Sequence, residues 1–307
     1  MSLRINNNIE SMNAHRNLLM NDRALSKSLE RLASGQKINR AADDPAALVI
    51  SEHMRAQVSG MEQAIRNNEV AISLVQTAEG SMNEISSILV SLRQRAISAA
   101  NVGASDQDMI DANQAEIENA LASIDRVVST TQFGHYKLLD GTNAAKTETN
   151  EDGSISTQEG LRFHVGPNAE HMASTSIRDM STSALGRATV PEGEMPNKSN
   201  FMSLADIDVR NEQGAQDALA IIDQALTEVA SVRGELGAFQ KHTLESNLTS
   251  LQVAAENMTA AESTIRDTDM AQELATFTRN QIMTQSATAQ LAQANAMPQH
   301  VLRLLNG

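Results

Sequence analysis

The side chains best equipped for chemistry in this sequence are seven histidines, His15, His53, His135, His164, His171, His242 and His300, set among 38 carboxylates. Imidazole and carboxylate bind metals or move protons only at spacings that aim them at one point. The nearest approach is His164, Glu170 and His171. Their spacing matches no zinc pattern, and HExxH is absent. Thiol catalysis, thiolate metal sites and disulfides are excluded because there is no cysteine. No GxGxxG or Walker-type glycine loop cradles a phosphate, and no GxSxG elbow presents a serine. The sequence therefore predicts no catalytic, cofactor-binding or metal site. Its many carboxylates read as solvated helix faces.

The elements themselves are helical. Six aromatic residues, Phe133, Tyr136, Phe163, Phe201, Phe239 and Phe277, serve 307 positions, and there is no tryptophan. Leu, Ile, Val, Ala and fifteen Met must do the packing, which suits narrow helix–helix seams. The spacing predicts a first helix over 5–33, striped by Ile5, Ile9, Met12, Leu18, Leu25, Leu29 and Leu32 and closed by Gly35. Residues 36–45 read as a loop ending in Asp44-Pro45, a carboxylate N-cap before a proline at the first helical position. Asp43 is expected to add charge near that positive helix end. A helix of about 55 residues, roughly 80 Å at 1.5 Å per residue, is expected from Ala46 to Ala100. Its stripe runs Val58, Met61, Ile65, Asn68, Ile72, Val75, Ala78, Met82, Ile85, Leu89, Leu92 and Ala96. Two successive three-residue steps, Ile72 to Val75 to Ala78, predict a stammer. Asn68 on that stripe is either a buried, register-fixing amide or an exposed or capped one.

Gly103 and Ser105 break this helix. Another follows from Ser105 or Asp106, with Ile110, Ile117, Leu121, Ile124 and Val128 on one face. Residues 133–188 change character. Asp140-Gly141 marks a turn, and 142–160 read as an exposed polar loop in which 150–153 could seat a hairpin turn. Residues 161–166 alternate like a strand, and 189–203 read as a connector. Helix returns near Gln213. Leu219, Ile222, Leu226, Val229 and Leu236 form one stripe, interrupted by Arg233; Leu244, Leu248, Leu251, Met258 and Ile265 form another. A last helix from Asp269 uses Met270, Leu274, Phe277, Leu291 and Ala294. Pro298 is expected to disturb it ahead of an apolar tail. The fold class is mostly α: an elongated antiparallel helical bundle or coiled coil with a small β-hairpin region.

The net charge of −14 is unevenly placed. Residues 1–45 hold seven basic and five acidic side chains and residues 268–307 two of each, so the acid surplus lies in 46–267. An acidic bulk repels phosphate and argues against nucleic acid as a partner. Near-neutral ends can pack against copies of themselves while the acidic part faces water. No run of 18 apolar residues predicts a membrane span, and MSLRINNNIESMNAHR lacks the apolar core of a secretory signal peptide.

Five stretches, INNNIESMNAHRNL, LASGQKINRAADDPAAL, QTAEGSMNEI, FGHYKLLDG and HVGPNAEHMASTSIRDMSTSALG, closely resemble bacterial flagellins, as does the ending ESTIRDTDMAQELATFTRNQIMTQSATAQLAQANAMPQHVLRLL. The resemblance covers nearly the whole chain. It implies that residues 1–44 and 268–307 are paired terminal helices forming a filament inner core. Residues 45–267 would form a rod domain with a hairpin and loop insertion near 133–205. The large outer domains that many flagellins carry between 140 and 200 would be missing. The function implied is that of a secreted structural subunit, with no enzymatic activity and no cofactor, that polymerises into the extracellular flagellar filament for swimming. The polymer-core interface is then expected at Ile5, Ile9, Met12, Leu25, Leu29, Leu32, Leu274, Phe277, Leu291, Val301 and Leu304. Both ends are expected to be disordered in free subunits and to order on assembly.

The resemblance also implies partners other than further copies. These are the flagellar export apparatus, an export chaperone at Leu291, Val301, Leu302 and Leu305, the filament cap and the hook-junction proteins. A host innate receptor reads many flagellins through a rod-helix motif. Here LVSLRQRAISAAN keeps Arg93, Ala96 and Asn101, and Glu116 matches on the next helix. Ser91 and Arg95 stand where Arg and Leu are usual, so recognition is expected to be weakened. Thr142, Thr147, Thr149 and Ser154 are candidate glycan acceptors. The alternatives are a hook–filament junction protein, a protease-bearing flagellin and a soluble coiled-coil adaptor.

Overall fold

A computed structural model describes residues 8–101, 106–149, 155–158, 160–187 and 197–305, and at 146–149, 155–158 and 298–305 it describes the backbone alone. Six helices dominate: α1 Ile9–Ser34, α2 Pro45–Ala100, α3 Gln107–Thr130, α4 Glu212–Ala238, α5 Ser246–Arg266 and α6 Met270–Leu305. Between α3 and α4 lie three antiparallel pairs: β1 Gln132–Phe133 with β2 Tyr136–Lys137, β3 Lys146–Thr149 with β4 Ile155–Gln158, and β5 Leu161–His164 with β6 Met172–Thr175. The chain divides into two compact units. Unit 1 comprises Met1–Val58 with Ala255–Gly307, and unit 2 comprises Ser59–Ala254, so the divisions fall inside α2 and α5.

Helix ends follow local chemistry. Gly35 ends α1 in the left-handed region (φ 71°) and donates its N–H to Arg31 O. Asp44 accepts the Ala47 N–H at 3.0 Å ahead of Pro45. Asp106 caps α3, and Asp269 caps α6 through the Ala271 and Gln272 amides. Asp43 departs from expectation. Instead of serving the α2 N-terminus, it binds Lys27 Nζ at 2.7 Å and accepts the Asn39 and Arg40 amides, folding the loop back onto α1. The α6 backbone also continues helically through Pro298 to Leu305, where a disturbance was expected. Only one N–H donor is lost there, and flanking turns carry the helix past it.

Unit 2 holds the larger apolar core. The buried row of α2 is Met61, Ala64, Asn68, Ala71, Val75, Ala78, Met82, Ile85, Leu89, Leu92, Ala96 and Ala99. Its steps alternate three and four without a break, so there is no stammer. The expected stripe had Ile65 and Ile72, which are only partly buried, in place of Ala64 and Ala71. The same substitution recurs on α4, where Ala218 and Ala225 are buried and Leu219 and Leu226 pack at the flank. Both members of each pair are apolar and adjacent in sequence, so hydropathy alone does not say which of them faces the core. All five apolar residues expected on the α3 face are buried. Ion pairs Glu79–Arg233 (3.8 Å) and Arg93–Asp223 (2.7 Å) show that α2 and α4 run antiparallel. Arg233 therefore reaches out at a seam edge.

One π-helical stretch, Phe239–Glu245, joins α4 to α5. Its extra residue moves the buried stripe from Leu236 to Leu244, a step of eight. The two stripes seen in the sequence are thus one helical run with a register shift. The β5–β6 hairpin docks beside it. Asn67 Nδ2 donates to His164 O at 3.1 Å, Asn247 Nδ2 to Val165 O at 2.6 Å, and Phe163 faces Phe239 with ring centroids 6.3 Å apart. Asn68 is fully buried; it donates to Ala64 O, and its Oδ1 has no partner among the described residues. Strand β5 lies where the alternation places it. The expected loop 142–160 is corrected: it contains β3 paired with β4, in register Thr147↔Thr157. Strands of Thr, Ser and Glu lack the apolar alternation that marks a half-buried strand. Gly103, Ser105, the turn at 150–153 and connector residues 189–196 lie outside the described residues.

Candidate assembly interface

Unit 1 is organised around α1 and α6, which run antiparallel. Five polar contacts mark the register: Asn8 Nδ2 to Ala294 O (2.8 Å), Ser11 Oγ to Asn295 Oδ1 (2.6 Å), Asn21 Nδ2 to Met283 O (3.4 Å), Asn280 Nδ2 to Ser28 Oγ (3.4 Å) and Arg31 with Glu273 (3.5 Å). At the Gly35 end the backbone adds a clamp. Lys37 donates to Arg266 O at 2.7 Å and Thr268 to Gly35 O at 2.9 Å. Arg266 itself donates to Glu52 at 2.7 Å. That bond holds the Glu52 carboxyl below its ordinary pKa against the opposing cost of burial, with Arg55 adding to the effect. Lys27 and the Arg40 amide hold Asp43 at about 2.

The inner face of α1 is Ser11, Ala14, Leu18, Asn21, Leu25, Ser28 and Leu32, and that of α6 is Phe277, Asn280, Thr284, Ala287, Leu291 and Ala294. Of these only Ser28, Ala287 and Ala294 are fully buried. Large apolar side chains lie on the outside instead. Ile9, Met12, Leu19, Met20 and Leu29 on α1, and Met270, Leu274, Ile282, Met283 and Met297 on α6, remain 45 to 63% exposed. Met12 and Leu19 also border a surface groove with His15 and Arg16.

The candidate residues thus divide. Leu25, Leu32, Phe277 and Leu291 lie in the seam, whereas Ile9, Met12, Leu29 and Leu274 face outward. Ile5 is outside the described residues, and Val301, Leu302, Leu304 and Leu305 are described by backbone alone. Leu19, Met20, Ile282, Met283 and Met297 were not singled out from sequence. Their signal was present: α6 scatters apolar residues around its circumference, the mark of a helix to be covered on several sides.

Unit 1 contains eleven basic and eleven acidic side chains, so the whole charge of −14 belongs to unit 2. On unit 2, Arg93 is held by Asp223 and Glu116 by Arg95 at 2.6 Å. Thr142 donates its hydroxyl to Asp140 at 2.6 Å, Thr147 and Thr149 lie on β3, and Ser154 is outside the described residues. Among the described residues no three metal-ligating side chains converge, and no helix is long and apolar enough to cross a membrane.

Comparison with known proteins accords with this arrangement. Residues 5–144 match the bacterial flagellin N-terminal helical region, and residues 219–305 match the bacterial flagellin C-terminal helical region. The chain is 40% identical over 313 residues to a flagellin of Bacillus subtilis strain 168, across 99% of this chain and 100% of the relative. The chain belongs to the flagellin family. It is also 38% identical over 302 residues to the flagellar filament 30.7 kDa core protein of Treponema maltophilum, covering 98% and 99% of the two chains. A solved structure from Vibrio parahaemolyticus, described as a flagellar hook-associated protein, is similar with a TM-score of 0.56 at 14% identity, over 73% of this chain and 100% of its own; that likeness concerns fold alone. The subunit is a structural protein of the extracellular bacterial flagellar filament and not an enzyme. Near-complete mutual coverage makes it a short flagellin without large outer domains, and a filament role is favoured over a junction protein.

Proposed function

We propose that the outward faces of α1 and α6 are the contacts through which the subunit joins copies of itself in the filament core. The observation carrying this reading is ten large, exposed apolar side chains on a unit whose net charge is zero. Apolar surface without net charge associates with its like at no long-range electrostatic cost, while the acidic unit keeps the polymer soluble. The same reading assigns Leu291, Val301, Leu302 and Leu305 to an export chaperone before assembly. The export apparatus, filament cap and hook-junction proteins are its further partners. Host-receptor recognition through Arg93 and Glu116 is weakened because Ser91 and Arg95 stand where Arg and Leu are usual, and strong activation by purified monomer would contradict this. Thr142, Thr147, Thr149 and Ser154 are the glycan candidates, and intact mass of native filament reads their occupancy.

Peroxide footprinting tests the interface. Met12, Met20, Met270, Met283 and Met297 should oxidise readily in the free subunit and resist in the filament. Buried Met82 should resist in both states. Equal oxidation of the five in both states would place the polymer contact elsewhere.

A further inference from the structure

Seven side-chain nitrogen or oxygen atoms are buried without a partner among the described residues. Four of them belong to one joint in unit 1: Arg31 Nε, Arg266 Nε, Thr268 Oγ1 and Glu273 Oε1. The other three, on Asn68, Asn113 and Arg233, belong to unit 2. The backbone brings the four side chains together. Gln36 and Asp267 form an antiparallel bridge, flanked by the bonds from the Lys37 N–H to Arg266 O and from the Thr268 N–H to Gly35 O. In extended backbone alternate residues share a side, so Arg266 and Thr268 turn inward and are partly buried, while Asp267 is exposed. Arg31, in the last turn of α1, meets Glu273 in the first turn of α6. The outer ends of both guanidinium groups are engaged, Arg31 Nη1 with Glu273 Oε2 at 3.5 Å and Arg266 Nη1 with Glu52 Oε1 at 2.7 Å. Their Nε–H groups, the second Glu273 oxygen and the Thr268 hydroxyl remain. Leaving such groups buried and unbonded is costly. Donors and acceptors gathered at one joint that do not bond each other are spaced for a bridging molecule. Arg31 and Arg266 balance Glu273 and Glu52, so the joint attracts neither an anion nor a cation. Water fits, because it can accept two hydrogen bonds and donate two.

We propose that this joint binds one ordered water molecule, which accepts the Arg31 and Arg266 Nε–H groups and donates to Glu273 Oε1 and Thr268 Oγ1. The water ties the ends of α1 and α5 to the start of α6. The site lies inside the joint and not on the exposed faces of α1 and α6, so it does not depend on those faces being the polymer contact.

An electron cryomicroscopy map of the unaltered filament, at a resolution that orders water, should show one peak within about 3.2 Å of all four atoms. Thr268→Ser keeps the hydroxyl and should keep the peak. Thr268→Val removes the hydroxyl at nearly constant volume. The water then loses one of its bonds, and the subunit concentration required for filament growth should rise about fivefold, the factor that one net hydrogen bond represents. If the hydroxyl were instead unbonded, valine would relieve a buried polar group, and the required concentration would stay level or fall. That result overturns the proposal. Absence of the peak, or a protein atom of a neighbouring copy bonded to either Nε in its place, overturns it as well. The map of the unaltered filament decides the question even where the valine variant does not assemble. Methionine footprinting reads the outer faces separately, so failure of the polymer-contact reading is distinguished from failure of the water site.

Discussion

Truncating Leu274 to alanine should raise the subunit concentration required for filament growth about fivefold. Leu274 retains 56% of its surface in the subunit, so about half of its burial remains to be gained on assembly. Full burial of a leucine side chain is worth about 1.5–3 kcal/mol, which leaves roughly 1–1.5 kcal/mol for the polymer contact. Alanine keeps the β-carbon share, making the expected loss about 1 kcal/mol, or about fivefold in the critical concentration. A cavity left at the contact would enlarge the effect. The assay is seeded elongation across subunit concentrations, read by light scattering and electron microscopy. The unfolding midpoint of the free subunit serves as control, because an exposed leucine contributes little to it. A critical concentration within twofold of the original, with the fold intact, would refute the assignment of Leu274 to the polymer contact.

Three further outcomes follow from the structure. Gln114→Leu removes the amide that accepts the Val209 N–H at 3.0 Å and donates to Ile207 O at 3.3 Å. With both groups stranded, urea unfolding should show a loss of about 2–4 kcal/mol. Ala71→Leu should cost about 1–3 kcal/mol in the same assay through overpacking, whereas Ile72→Leu at the flank should cost less than about 1.5 kcal/mol. The pKa of Asp43 falls on folding from its ordinary 3.8 to about 2, and that of Glu52 is also lowered. Their stabilisation is complete above the ordinary carboxylate range and drains as pH falls, for Asp43 from about 4 towards 2. Asp43→Asn should flatten that part of the acid titration of filament stability while leaving the neutral plateau present but lower.

Local signals determined much of this chain without tertiary information. Gly35, Asp44-Pro45, Asp106 and Asp269 each act within one turn of their own backbone, so their sequence neighbours specify the helix ends. Long three-four periodicity likewise identified α2, α3, α4 and α5 before any packing was known. Of the residues that the resemblance assigned to a polymer core, Ile9, Met12, Leu29 and Leu274 lie on the outer faces of α1 and α6. What required the tertiary structure was set by distant residues. The choice of Ala64 and Ala71 over Ile65 and Ile72 depends on which side of α2 the rest of unit 2 covers. Asp43 turned from the α2 end to Lys27 because the loop folds back onto α1. The shift at Phe239–Glu245 lets one helix continue its buried face with an added residue. The strands β3 and β4 exist through each other's backbone groups rather than their own side chains. Sequence therefore settled which segments are helical and where the capped ends lie, because those energies are local. Folding in space decided which apolar side chains fill a seam and which are left outside, because that depends on what stands opposite.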